Sequence, residues 1–140
     1  YTLSLHDALP IYSLKKVVYA TNFDEKDFVA VDKLMSLLRP FQTKVYCLHV
    51  GQSDEVTWDL AKLEGMREVL KRRHMHTDLE CVYLQGKDLL QKLETYIKKH
   101  EIDIISLTTH KRNMITRIFN PSIAKEMLFH TEIPLLVFHA

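Results

Sequence analysis

Short apolar runs alternate with longer amphipathic runs along almost the whole chain, and this alternation limits the possible folds more than any other feature. Runs rich in β-branched and aromatic residues predict five strands, at residues 15–21, 43–50, 79–84, 103–107 and 133–140. The segments between them carry apolar residues at the spacing of one helical face. Strands that alternate with helices indicate a parallel sheet with helices on both faces.

The predicted fold is therefore an α/β three-layer sandwich with a five-stranded parallel sheet in the strand order 3-2-1-4-5. The first helix is expected to begin after Asp24, an N-cap residue, and to end at about Arg39, because Pro40 closes it. The last helix is expected from Pro121 to about His130, with Asn120 as its N-cap.

Composition limits the class of protein. With 140 residues the chain is long enough for one well-buried domain. Its formal charge is +1, whereas a general nucleic-acid binder normally carries a large excess of basic residues. No apolar run approaches the roughly 20 residues that a helix needs to cross a bilayer. Cys47 and Cys81 lie in strand-like runs, which favours buried reduced thiols. We expect a cytoplasmic protein that binds neither nucleic acid nor membrane.

The first twelve residues do not fit the alternation. Tyr1–Tyr12 form no clear helix or strand, and Pro10 interrupts the run. Because this run resembles translated sequencing-adapter sequence, we interpret residues 1–12 as a non-native or disordered N-terminal arm and residues 13–140 as the domain. A genuine N-terminal arm is the alternative.

The sequence lacks the common catalytic and metal-binding patterns. Its three glycines are Gly51, Gly65 and Gly86, which excludes a Walker loop and a dinucleotide fingerprint. No serine lies in a Gly-x-Ser-x-Gly turn, and no histidine pairs with a cysteine or carboxylate at a known ligand spacing. We therefore expect no enzyme activity and no metal site. His49 and His139 are interpreted as core or interface residues.

Polar residues cluster where the first and fourth strands end. With the strand order 3-2-1-4-5 these two ends flank the switch point, where α/β sheets bind ligands. Hydroxyl, amide and positively charged groups there favour an anionic small molecule such as a nucleotide. A solvated basic loop that binds nothing is the alternative. The candidate binding residues are Ala20, Thr21, Asn22, Val50, Thr108, Thr109, Lys111, Arg112 and Ser122.

Four segments resemble the universal stress protein family: KKVVYATNFDE, KVYCLHV, DIISLTTHKR and NPSIAKEMLFHTEIPLLVF. The resemblance covers about Leu14 to Ala140. It implies a flavodoxin-like, Rossmann-like fold and commonly a dimer. It also implies that many relatives bind ATP through an aspartate after strand one and a loop written G-x2-G-x9-G-[ST] after strand four. The ending resembles members from Bacteroidetes-like bacteria that often carry two such domains in tandem.

The nucleotide motif implied by this resemblance is altered here. Its aspartate position falls on Asn22, its glycine positions fall on Thr108, Lys111 and Pro121, and only the final hydroxyl, Ser122, matches. Side chains in place of glycine disfavour the positive-φ backbone that wraps a triphosphate, and proline removes an N–H donor. The side chains of Lys111 and Arg112 could offset part of this loss by binding phosphate directly. We expect no tight ATP binding and no required cofactor.

The last strand suggests a partner. Leu135, Leu136, Val137 and Phe138 are consecutive apolar residues at an expected sheet edge. A bare apolar edge promotes aggregation, and pairing with a second copy or a tandem domain would cover it. A helix or the N-terminal arm could cover it instead.

The predicted function is a universal-stress-type binding and regulatory domain of the stress response, dimeric, with a degenerate nucleotide loop. The main alternative is an ATP-binding universal stress protein with slow ATPase activity. A purely structural half of a tandem assembly is a third hypothesis.

Overall fold

A computed structural model of the chain describes residues 14–51, 56–109 and 133–139. These residues form five strands and three helices, with a single 3-10 turn after the first helix. In chain order the elements are β1 (Lys16–Ala20), α1 (Glu25–Leu38), β2 (Lys44–Gly51), α2 (Val56–Arg73), β3 (Leu79–Gln85), α3 (Leu89–His100), β4 (Ile104–Thr109) and β5 (Leu135–His139). The predicted last helix and the arm at residues 1–12 lie outside the described residues.

The sheet confirms the predicted topology. All strand pairs are parallel, and the order is β3-β2-β1-β4-β5. β1 lies in the centre, where Val17 pairs with Val45 of β2 on one side and with Ile104 of β4 on the other. The carboxyl ends of β1 and β4 are therefore neighbours, which is the arrangement expected at a ligand-binding switch point.

Each face of the sheet has its own apolar core, as expected for a central parallel sheet. Along β1, Val17 and Tyr19 face α1 and α2, whereas Val18 and Ala20 face α3. All four side chains are buried. This alternation explains why the strand reads as a continuous apolar run in the sequence.

The N-cap prediction for α1 is confirmed. The Asp24 side chain accepts a hydrogen bond from the Lys26 N–H, and Asp24 and Asp27 form a reciprocal capping box. The helix ends at Leu38, and Pro40 lies in the 3-10 turn that follows.

Only some of the apolar residues of α2 face the sheet. Leu63, Met66 and Leu70 are buried, but Trp58 is 68% exposed and Leu60 is 46% exposed. Residues 63, 66 and 70 follow the helical repeat and form one stripe toward the sheet, whereas 58 and 60 fall on other faces. None of the helices in the described part of the chain is both long and apolar enough to cross a membrane.

Candidate functional site

The turn between β1 and α1 is built around one buried carboxylate. Asp27 is completely buried, and its Oδ1 accepts a 2.6 Å hydrogen bond from the Tyr19 hydroxyl. Its Oδ2 accepts from the Thr21 hydroxyl at 2.7 Å and from the backbone N–H groups of Asn22 and Asp24, each at 3.2 Å. A carboxylate in the core requires such donors, because a buried polar group without hydrogen bonds is costly.

The same contacts use up the backbone donors of the turn. The Phe23 N–H donates to the Thr21 hydroxyl oxygen at 3.1 Å, so the N–H groups of residues 22–24 all have acceptors inside the chain. Phe23 adopts a positive φ of 63°, which is unusual for a bulky residue, and its ring packs against His49 at 4.1 Å between ring centres. The turn is thus held in a strained shape, and its amides do not form a phosphate-binding nest.

Tyr19 connects this turn to the end of β4. Its hydroxyl lies 2.7 Å from the Thr108 hydroxyl. Because the single Tyr19 proton goes to the Asp27 carboxylate, Thr108 is the donor to the Tyr19 oxygen. Burial, followed by the Asp27 charge, raises the pKa of Tyr19 far above its usual value. The Thr108 hydroxyl is therefore occupied in the core.

His49 lies beside this network near the end of β2 and is buried, as the sequence predicts. Its Nδ1 is 2.8 Å from the Thr21 carbonyl oxygen, which can only accept, so Nδ1 carries the proton. Burial lowers the pKa of His49, although the Thr21 carbonyl and Asp59 oppose this effect. The Asp59 carboxylate lies 3.6 Å from Nε2, too far for a hydrogen bond, and the ring is neutral at pH 7.

Some of the candidate binding residues come together at this edge of the sheet. Thr21 and Thr108 are both buried, at the ends of the neighbouring strands β1 and β4, whereas Asn22 is exposed. Ala20 and Val50 pack in the core on the α3 side, and Thr109 ends β4. Lys111, Arg112 and Ser122 lie outside the described residues, so their prediction stays open.

Sequence reasoning missed the residues that organise the site. From the sequence alone, Asp27 is an ordinary carboxylate in the first turn of a helix, and Tyr19 and Asp59 have no predicted role. One signal was present: Tyr19, Thr21 and Thr108 place three hydroxyl groups at the ends of two central strands. Buried polar groups need hydrogen-bond partners, and a carboxylate at the start of the next helix is a natural shared acceptor.

The described residues contain no group of three or more histidine, cysteine, aspartate or glutamate side chains that could hold a metal ion. The site instead offers an exposed side-chain amide at Asn22, beside a strained turn whose backbone N–H groups and hydroxyls bond to one another. This set suits recognition of a small polar molecule by a few contacts. It provides no activated nucleophile paired with a base among these residues.

Solved structures with the same fold are known. A universal stress protein in complex with cAMP superposes with a TM-score of 0.69 at 16% identity, covering 91% of this chain and 98% of that chain. One from Archaeoglobus fulgidus in complex with dAMP gives 0.65 at 14% identity, with 89% and 98% covered. An Arabidopsis thaliana family protein with AMP bound gives 0.57 at 19% identity, with 89% and 91% covered.

At these identities the likeness establishes the fold alone. A search of curated proteins by sequence finds no match. The family assignment comes from the sequence model of the Universal stress protein family, which matches residues 13–139. The chain therefore belongs to the universal stress protein family.

Proposed function

We propose that this chain is a non-catalytic binding and regulatory module of the stress response in the cytoplasm. Its ligand is an adenine nucleotide, held weakly in the crevice between the ends of β1 and β4. Family membership supports nucleotide binding, and structural neighbours hold cAMP, dAMP and AMP. These ligands carry a single phosphate, which needs fewer donors than a triphosphate.

One observation carries the weak-binding part of the proposal. The N–H groups of residues 22–24 all donate to Asp27 or Thr21, and the hydroxyls of Thr21 and Thr108 are turned into the same buried network. A phosphate at this turn would have to replace these internal hydrogen bonds. The exposed Asn22 amide carries both donor and acceptor atoms, which suits the edge of a base better than a phosphate.

Nuclear magnetic resonance titration of the full chain with AMP, cAMP and Mg·ATP tests this proposal. We expect saturable shifts at Asn22 with Kd values between about 100 µM and 5 mM, a binding free energy weaker than about −5.5 kcal/mol, and no preference for ATP. A Kd for Mg·ATP of about 10 µM or tighter contradicts the proposal. If that tight binding comes with slow phosphate release, it supports the ATPase alternative. Absence of saturable shifts with all three nucleotides contradicts the nucleotide assignment.

A substitution at Asn22 sharpens the test. Asn22→Asp restores the aspartate that the family motif places after strand one, so we expect it to tighten AMP binding. Asp24→Asn is the matched control, because it changes a charge in the same turn while asparagine still caps the helix. If the two variants change AMP binding equally, Asn22 does not contact the base.

We also propose that the module dimerises through β5, with antiparallel pairing to a second copy across a two-fold axis. β5 is an edge strand of the described sheet and pairs with β4. Leu135 is exposed, and Leu136, Val137 and Phe138 are only partly buried. Pairing of two such edges buries apolar side chains and satisfies backbone groups together. A tandem domain on the same chain is the other possible occupant.

A further inference from the structure

Two cysteines and a methionine pack in one core between the sheet and α2. Cys47 of β2 and Cys81 of β3 are register partners on adjacent strands, and both are free thiols. The Cys47 Sγ lies 3.8 Å from the Sδ of Met66 on α2. All three residues belong to the core on the α1 and α2 side of the sheet. The cluster adjoins the nucleotide crevice proposed above, because the Met66 Sδ also lies 3.5 Å from the Thr21 hydroxyl oxygen.

The distance between the Cys47 and Met66 sulfurs suits two ligands of a three-coordinate soft cation. Sulfur ligands placed about 2.3 Å from a central metal ion in a trigonal plane lie about 4.0 Å from one another. The 3.8 Å between Cys47 and Met66 is close to that value before any metal binds. Both of these residues are buried and fixed by the core, whereas Cys81 is half-buried and gives access from solvent.

We propose that the chain binds one Cu(I) ion through the thiolates of Cys47 and Cys81 and the thioether of Met66. Thiolate and thioether ligands together select Cu(I) over harder cations. Zn²⁺ favours four ligands, and the described residues place no third cysteine, histidine or carboxylate in this cluster. Both thiols release their protons to solvent, the copper stays Cu(I), and the bound site carries one negative charge.

Charged side chains of both signs surround the outer edge of the cluster. Arg67 and Lys71 of α2 lie near Cys81, and Glu64, which pairs with Arg67, lies near it as well. Cys81 is the less buried of the two cysteines, so it is the first ligand that an entering cation meets.

A disulfide between the two cysteines is the main competitor. Register partners on neighbouring strands have Cα atoms about 4.8 Å apart, which lies within the range of disulfides. A disulfide, however, makes no use of Met66. Dependence on the Met66 thioether therefore separates copper binding from simple oxidation.

Anaerobic titration of the reduced full chain with Cu(I), in competition with bicinchoninate, measures the binding. X-ray absorption then counts the sulfur ligands. The expected result is one Cu(I) per chain with three sulfur neighbours. Cys81→Ser abolishes binding. Met66→Leu nearly conserves the side-chain volume and leaves two sulfur neighbours around the copper. It should weaken Cu(I) binding by roughly 10- to 100-fold or more, since loss of even an outer-shell partner of a metal site costs that much.

Met35→Leu is the matched control, because Met35 is a buried methionine of the same core outside the sulfur cluster. It leaves Cu(I) affinity unchanged. The proposal is overturned if the wild-type chain takes up no Cu(I), if Met66→Leu binds as tightly as wild type, or if added copper yields a Cys47–Cys81 disulfide without retained metal. Cys81→Ser and Met66→Leu decide the matter even if substitutions at the fully buried Cys47 prevent folding.

Discussion

At the scale of single residues, Asp27 has the largest structural role in the described part of the site. Asp27→Asn keeps the shape of the side chain but replaces one acceptor oxygen by an NH2 group, which cannot accept the hydrogen bonds of the surrounding donors. We expect a loss of about 2–4 kcal/mol in the free energy of unfolding, because buried donors lose a charged acceptor. Urea denaturation measures the loss. Asp24→Asn is the control and should change stability by less than about 0.5 kcal/mol. Equal effects would show that burial of Asp27 is unimportant.

His49 should make stability depend on pH. Its pKa in the folded state is below the ordinary value of about 6.5, so the unfolded chain binds the proton more readily. Stability is therefore highest above that value and falls as pH drops below it, by at most about 1.4 kcal/mol per pH unit, until the folded state is also protonated. His49→Asn, whose amide can still donate to the Thr21 carbonyl, should remove this contribution.

The measurement is urea denaturation of wild type and His49→Asn at pH 7.5 and pH 5.5. Wild type should lose more stability than His49→Asn when the pH falls from 7.5 to 5.5. The same substitution at the exposed His76 is the control. If wild type and His49→Asn lose stability in parallel, burial of His49 is not the cause of the pH dependence.

The strand pattern predicted that the ends of β1 and β4 are neighbours, but it did not predict how the residues there interact. Residues at the ends of strands one and four could be assigned from the strand pattern alone. The roles of Thr21 and Thr108 depend on Tyr19 and Asp27, and the Tyr19–Thr108 contact joins residues far apart in the chain. Such a contact exists only after the sheet has formed, and no local pattern encodes it.

At the scale of elements, β5 determines the proposed assembly. Leu135→Asp places a charge on the exposed residue of this edge strand, so a dimer held through β5 should dissociate to monomers. Multi-angle light scattering measures the mass in solution. Leu60→Asp, at an exposed leucine of α2, is the matched control and should leave the mass unchanged. A wild-type chain of monomer mass, or a Leu135→Asp variant of dimer mass, contradicts pairing through this strand.

Element types were easier to predict than element faces. The strands and the first three helices lie where the apolar spacing placed them, apart from small shifts at the ends. On α2, however, the apolar residues Trp58 and Leu60 lie away from the buried face and are exposed. Apolar residues occur off the buried stripe of a helix, so composition alone cannot define its orientation.

At the scale of the whole molecule, the topology follows from a few general rules. Helical crossovers between parallel strands are right-handed, which places α1 and α2 on one face of the sheet and α3 on the other. Each face has its own core, so β1 is buried on both sides. The family model matches residues 13–139, and the predicted start of the domain at residue 13 stays a prediction.

This domain boundary leads to a paired truncation experiment. The Leu14 carbonyl accepts a 2.8 Å hydrogen bond from the Thr43 hydroxyl, and the Lys15 N–H donates to the Asp103 carboxylate at 2.8 Å. The Lys15 carbonyl also accepts from the Lys44 N–H. Residues 14 and 15 thus tie β1 to both neighbouring strands at its amino end.

Removal of residues 1–12 should change the free energy of unfolding by less than about 0.5 kcal/mol, because the predicted arm precedes these contacts. Removal of residues 1–15 should cost about 2–4 kcal/mol, since three hydrogen bonds of about 1 kcal/mol each and the packing of Leu14 are lost. Urea denaturation of both truncated chains measures the difference. A comparable loss in the shorter truncation would mean that residues 1–12 are part of the folded domain, as a genuine N-terminal arm would be.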